Sequence, residues 1–175
     1  MLSIESLSEL GRYRWTVPLM AMVALRNGVR FAEALGTFKL PRESLSRTLE
    51  AAMAAGWLVR NAGHGHPLRP EYVPTQEGMR IGKACGVIMV AQLDLGLPPY
   101  ALSRWSLPIV RLVADGHSRF NAIARALERA NPRAMTASLR GLVGLELIDR
   151  RLIDAYPPVS DYALTERGLI LAKAA

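Results

Sequence analysis

Apolar positions recur at helical spacing through most of this chain, broken by short alternating stretches and by Gly/Pro-rich loops. Leu2, Ile4, Leu7 and Leu10 outline a short amphipathic helix over residues 1–13, of a kind that docks on a neighbouring surface. Trp15 to Leu25 predicts an apolar helix with Pro18 in its first turn, where a missing N–H costs little. Asn27-Gly28 ends it. Phe31 to Thr37 predicts a second short helix, stopped by Gly36. Pro41 to Ala55 has the strongest helical pattern of the first half, with Leu45, Leu49, Ala52 and Met53 on one face and Gly56 as the closing cap. Trp57-Leu58-Val59 reads as a strand and Tyr72-Val73 as its partner, joined by a Gly- and Pro-containing loop over residues 62–70. Thr75 then caps a helix reaching about Leu95. Within it Ala84 to Ala91 is apolar all round apart from Gly86, which predicts burial between domains or subunits.

After the break Gly96-Leu-Pro-Pro-Tyr100 the same order returns. Trp105 to Ala114 predicts a helix ended by Asp115-Gly116, and Phe120 to Ala130 a second with Phe120, Ile123, Ala124 and Leu127 facing inward. Asn131 is a good N-cap ahead of Pro132, and Met135, Leu139, Leu142 and Val143 line the buried side of the helix that follows. Leu147 to Ile153 is a strand, 154–160 a wing, and Asp161 to Leu164 the return before Thr165 caps the last helix. The two halves also align residue by residue at a spacing of 90. Arg14-Trp15 falls on Arg104-Trp105, Pro18 on Pro108, Leu49 on Leu139 and Arg60 on Arg150. Tyr72-x-x-Thr75-x-x-Gly78 falls on Tyr162-x-x-Thr165-x-x-Gly168, and Lys83 on Lys173. Matches of Trp, Tyr, Pro and Gly at both ends of one period point to a duplicated domain. The expected fold is mainly α (α+β): two tandem winged helix-turn-helix domains, residues 1–95 and 96–175, each with a small β-hairpin wing.

Composition sharpens this picture in three ways. A hydrophobic content of 50% excludes a disordered chain. The apolar runs stop short of the roughly 18 residues that a membrane helix needs, and the N-terminus lacks the basic start and apolar core of a secretory signal. With a lone Cys85 that can form no internal disulfide, the expectation is a protein of a reducing cytoplasm. The net charge is +7. Residues 1–95 hold 11 basic and 8 acidic residues and residues 96–175 hold 11 and 7, so the halves carry +3 and +4. An excess spread over both copies suits two domains that each face a polyanion, most simply nucleic acid.

The run Arg104-Trp105-Ser106, then Ser118-Arg-Phe-Asn-Ala-Ile123, then Asn131-Pro-Arg-Ala-Met-Thr136, resembles the HxlR-type bacterial transcriptional regulators. The wing Tyr156-Pro-Pro-Val159 and the stretch Asp161-Tyr-Ala-Leu-Thr-Glu-Arg-Gly168 extend the likeness. The first half keeps Trp15-Thr16, Arg30-Phe31, Pro41-Arg42 and the Tyr-x-x-Thr-x-x-Gly run, with a different wing. The resemblance implies sequence-specific binding to double-stranded promoter DNA by a regulator, more as a repressor than an activator. Such proteins carry one domain per chain and work as dimers on two-fold related sites. It therefore implies either a pseudo-dimer within the chain or a homodimer of tandem chains. It also implies a small-molecule effector held between the copies near Val87–Leu93.

A winged helix lays its recognition helix in the major groove while phosphate contacts fix the register. In the first half the candidates are Arg42, Ser46, Arg47 and Thr48, with His64, His66 and Arg69 on the wing. In the second they are Arg133, Thr136, Ser138 and Arg140, with Arg151 on the strand before the wing. Glu43 stands four residues before Arg47, an intrahelical pair that offsets charge, whereas Arg133 and Arg140 have no carboxylate on their face. Unequal half-sites follow, with Arg47 the best candidate for base reading in the first copy. Family members often place Gln-Arg where this chain has Arg47-Thr48 and Ala137-Ser138, so the second helix has lost two long side chains.

Trp15 and Trp105 open apolar helices and read as core. His64-x-His66 with distant Cys85 lacks a second pair to complete a metal site. Cys85 reads as a packing thiol, with Arg80 and Lys83 near enough in sequence to leave a redox switch open. No phosphate loop, carboxylate pair or nucleophile–base arrangement marks an enzyme, and no cofactor is implied. Two rivals remain beside the regulator: a degenerate winged-helix adaptor acting through protein contacts, and a small-molecule binding or modifying protein that kept the fold.

Overall fold

In the computed structural model residues 2–61, 71–128, 130–154 and 158–175 are described. In chain order the elements are α1 (Ile4–Leu10), α2 (Thr16–Arg26), α3 (Phe31–Phe38), α4 (Arg42–Ala54), β1 (Leu58–Arg60), β2 (Tyr72–Pro74) and α5 (Gln76–Asp94). Then follow α6 (Ser106–Ala114), α7 (Phe120–Ala126), α8 (Pro132–Gly144), β3 (Ile148–Ile153), β4 (Val159–Leu164) and α9 (Glu166–Ala174). Contacts divide the chain into two units, Trp15–Val90 and Met1–Arg14 with Ala91–Ala175.

In the unit Trp15–Val90 four helices close over one core. Leu19, Met20 and Val23 of α2, Ala34 of α3, and Leu45, Leu49 and Ala52 of α4 are buried, with Ile81, Cys85 and Ile88 of α5. β1 and β2 pair antiparallel, Leu58 opposite Pro74 and Arg60 opposite Tyr72. The other unit repeats the order from α6 to α9. Ile109 and Val110, Ile123, Met135 with Leu139 and Leu142, and Leu171 form its core. β3 and β4 pair antiparallel from Ile148 opposite Leu164 to Ile153 opposite Val159.

One junction recurs at a spacing of 90. Thr75 donates its hydroxyl to the Gly56 carbonyl at 2.8 Å and accepts from the Gly78 N–H at 2.9 Å. Thr165 does the same with Glu146 at 2.7 Å and Gly168 at 3.0 Å. The backbone N–H of each threonine also reaches the strand, Thr75 to Trp57 O at 3.0 Å and Thr165 to Leu147 O at 3.2 Å. A side chain at Gly78 or Gly168 would run into those same carbonyls, at 1.7 and 1.9 Å. Glycine here lets the helix lie directly on the strand and so sets the root of the wing.

The structure departs from the sequence pattern at five points. The first 14 residues belong with the C-terminal unit rather than with a 1–95 domain. α1 packs on α6, burying Leu7 and Leu10. A seven-residue helix is too short to persist alone, and burying each leucine contributes about 1.5–3 kcal/mol. Gly36 does not stop α3, which continues to Phe38 and ends where Lys39 turns left-handed at φ 51°. α7 ends at Ala126, four residues short of the expected end at Ala130. Val143 is 38% exposed rather than buried, because Leu142 already occupies the inward position of that turn. Finally, α5 is not buried all round. Ile81, Cys85, Ile88 and Ala91 face inward, while Val87, Val90 and Leu93 face solvent. No helix among the described residues is long and apolar enough to cross a membrane.

Candidate nucleic-acid interface

α8 starts where Asn131 accepts from the Arg133 N–H at 2.8 Å, with Pro132 supplying a first helical residue that needs no such bond. Met135, Leu139 and Leu142 then turn inward, which leaves Arg133, Ala134, Ala137 and Arg140 on the exposed face. Thr136 is half-buried and donates to the Pro132 carbonyl at 2.9 Å. α4 has the same inward–outward order. Leu45, Leu49 and Ala52 are buried, Arg42, Glu43, Arg47 and Glu50 are exposed, and Ser46 is half-buried.

Two of the sequence candidates are misplaced. Thr48 and Ser138 are buried, not ranged beside the reading face. Each lies three residues after the first inward anchor, Leu45 or Met135, and so falls on the same inner stripe. Thr48 donates to the Ser44 carbonyl at 2.8 Å, and Ser138 accepts from the Ser103 hydroxyl at 2.7 Å. Both hydroxyls are occupied with holding their helices. His64, His66 and Arg69 lie outside the described residues.

Charge distinguishes the two helices. On α4, Arg47 pairs with Glu43 and Arg42 stacks over the Phe31 ring at 5.3 Å. Glu50 adds a further carboxylate, so Arg42 and Arg47 are balanced by Glu43 and Glu50 on that face. The flanking elements repeat the pattern. Arg26 pairs with Glu33, and Arg60 with Glu71 at 2.6 Å. The hydrogen bond and the attraction of Glu71 raise the Arg60 guanidinium above its ordinary value. On α8 Arg133 and Arg140 make no ion pair among the described residues. They stand seven residues apart, two turns or about 10.5 Å along the axis, a spacing that can engage a strand of phosphates. β3 packs against α8 and adds exposed Arg150 and Arg151. Arg150 is fixed on Ser160 Oγ by two donors at 3.0 and 2.9 Å, while Arg151 stands opposite Asp161 in the ladder.

Arg119 and Arg125 were missed from sequence. Both are exposed at the two ends of α7, neither in an ion pair among the described residues. The signal was their position on the helix before α8, since in helix-turn-helix proteins the first helix of the motif crosses the sugar–phosphate backbone.

The family match falls on this same unit. Residues 102–174 match the family of HxlR-like helix-turn-helix proteins. The HxlR-like segment thus takes in α6 to α9 and both strands of the second wing. An uncharacterised HTH-type transcriptional regulator of Methanothermobacter thermautotrophicus is 34% identical over 65 residues, covering 37% of this chain and 50% of the relative. The chain therefore matches about half the length of that curated relative. A crystal structure from Enterococcus faecalis V583, assigned to the MarR family of transcriptional regulators, is 26% identical and covers 50% of this chain and 74% of that one. Its TM-score of 0.41 is too low to carry an argument.

Trp105 of the HxlR-like segment is buried, as an opening core residue should be, and Trp15 is half-buried with its ring 5.6 Å from Phe38. Cys85 is fully buried, and burial pushes its thiol far above the ordinary cysteine range. No group of three or more His, Cys, Asp or Glu side chains among the described residues is placed to hold a metal.

Proposed function

We propose that the chain is a sequence-specific DNA-binding transcriptional regulator that acts by occupying promoter DNA, as a repressor does. In this reading it is a tandem duplication of one winged helix-turn-helix domain. The matching order of elements, and the Thr-x-x-Gly junction recurring at a spacing of 90, support that duplication. The observation that carries the functional reading is the set of arginines on the HxlR-like unit that make no ion pair among the described residues. Arg133 and Arg140 on α8 contact the major groove, with Thr136 between them, while Arg119, Arg125 and Arg151 contact phosphates. In the first unit Arg42, Ser46 and Arg47 keep the equivalent position, but internal ion pairs mute its charge. The two units therefore read DNA unequally, the second more strongly.

A salt series on a duplex recovered from a random pool by the purified protein tests this. Affinity should fall steeply with added salt, because each phosphate contact releases a counterion. Arg133→Ala and Arg140→Ala should each lower the slope by about 1 if they contact phosphate, or cost about 1–3 kcal/mol of discrimination if they read a base. Arg47→Ala should change affinity less than either. A protein with no salt-dependent DNA affinity, or a double Arg133→Ala/Arg140→Ala variant that binds like wild type, removes the reading and leaves an adaptor in its place.

A further inference from the structure

Three serine hydroxyls tie α8 to the stretch of chain that enters α6. Ser103 lies just before the turn that opens α6, Ser106 is the first residue of that helix, and Ser138 sits on the inner stripe of α8. The Ser103 hydroxyl donates to Ser138 Oγ at 2.7 Å, and Ser103 Oγ lies 2.9 Å from Ser106 Oγ. A hydroxyl has one proton to give, so with the Ser103 proton on Ser138 the Ser106 hydroxyl is the donor in the second bond. The order therefore runs from Ser106 through Ser103 to Ser138. Backbone groups pin the middle of it. The Ser103 N–H donates to Ser106 Oγ at 3.0 Å, and the Ser106 N–H donates to the Ser103 carbonyl at 3.0 Å. Ser106 and Ser138 are buried, while Ser103 is exposed.

The other inward anchors of α8, Met135, Leu139 and Leu142, are apolar. Apolar contact carries no directionality, whereas a hydrogen bond weakens steeply when its angle is lost. Ser138 follows exposed Ala137 and stands two residues before exposed Arg140, so its bond fixes the angle of that outer face about the helix axis. Side chains reach about 5–6 Å from the axis, so a rotation of about 10° moves a tip by about 1 Å. A reading site has to be held to about 0.5 Å. On α4 the position 90 residues earlier is Thr48, which gives its hydroxyl to the Ser44 carbonyl of its own helix. A bond within one helix cannot set that helix against another. Resting on the reading of α8 as the helix that enters the major groove, we propose that Ser103 and Ser138 are positioning residues for base discrimination. Their bond sets the rotation of α8 and thereby the aim of Arg133 and Arg140.

The test uses the full-length protein, the duplex it selects from a random pool, and a scrambled duplex of equal length and composition, compared by fluorescence anisotropy. Ser103→Ala and Ser138→Ala should each cut the preference for the selected duplex about five- to tenfold, the lower range for losing one good base contact. Affinity for the scrambled duplex, and its salt slope, should stay at wild-type values, since phosphate contacts carry no sequence information. A merely structural loss would instead lower both affinities together. The double variant should match either single one, because both remove the same bond. Ser103→Thr keeps the hydroxyl at an exposed position and should keep the wild-type preference. The inference is overturned if the alanine variants keep that preference, if their losses add in the double variant, or if both duplexes weaken in parallel. A Ser103→Thr variant that behaves like Ser103→Ala overturns it as well. A wild type that binds neither duplex, or both equally, removes the regulator reading and this inference with it.

Discussion

Replacing Gly168 by Ala is the sharpest test of how the wing is anchored. The added carbon would lie 1.9 Å from the Leu147 carbonyl oxygen, 1.1 Å inside the 3.0 Å that real Cβ atoms essentially never cross. The obstacle is backbone on both sides, so no rotamer change relieves it. Either α9 or the start of β3 must move by about 1 Å, at the roughly 1–3 kcal/mol of an overpacked site. That movement also breaks or stretches two bonds of the junction, Thr165 N–H to Leu147 O at 3.2 Å and the Thr165 hydroxyl to Glu146 O at 2.7 Å. At about 1 kcal/mol each, the expected loss is about 3–5 kcal/mol, a large share of what a small domain possesses. Urea denaturation followed by tryptophan emission measures it, with Trp105 reporting on this unit and Trp15 and Trp57 on the other. Gly141→Ala is the control. A carbon there meets nothing within 4 Å, and Ala in a helix interior should add about 0.5–1 kcal/mol. A Gly168→Ala variant that loses less than about 1 kcal/mol would refute the argument that close backbone approach requires this glycine.

Glu146 sits at φ 56° where the first unit has Gly56 at φ 73°. Glu146→Gly should therefore raise the thermal midpoint, gaining about 0.5–1 kcal/mol after the added freedom of the unfolded chain is counted. Glu43→Gln frees Arg47 from its intrahelical partner and should steepen the salt dependence of DNA binding by about 1 in slope, checked by fluorescence anisotropy. Cys85 should resist thiol reagents until the protein is denatured, since burial holds it protonated. The sign of its pH effect follows. The unfolded thiol ionises near its ordinary value of about 8.5 while the folded one does not, so unfolding releases a proton. Stability relative to Cys85→Ala should be fully present below that value and fall by about 1.4 kcal/mol per pH unit above it, which paired denaturation curves at pH 7 and pH 10 measure.

Local pattern determined much of this protein. Leu45/Leu49 and Met135/Leu139 at helical spacing, Asn131 before Pro132, and Thr three residues ahead of Gly78 and Gly168 were enough to place α4 and α8, the start of α8 and the junctions that root the two hairpins. Those features depend on neighbours within one or two turns, which a sequence states directly. Tertiary structure decided the rest, because burial depends on what lies across from a residue. Thr48 and Ser138 are polar and read as surface, yet each completes an inner stripe and spends its hydroxyl on a nearby oxygen. Val87 and Val90 are apolar and read as core, yet α5 needs only one of its faces to close the fold. The first 14 residues precede one unit in sequence and pack in the other, since Leu7 and Leu10 go where α6 offers an apolar surface. That Arg133 and Arg140 make no ion pair among the described residues is likewise a matter of three dimensions: charge can be counted along a chain, but whether a carboxylate reaches it is settled by the fold.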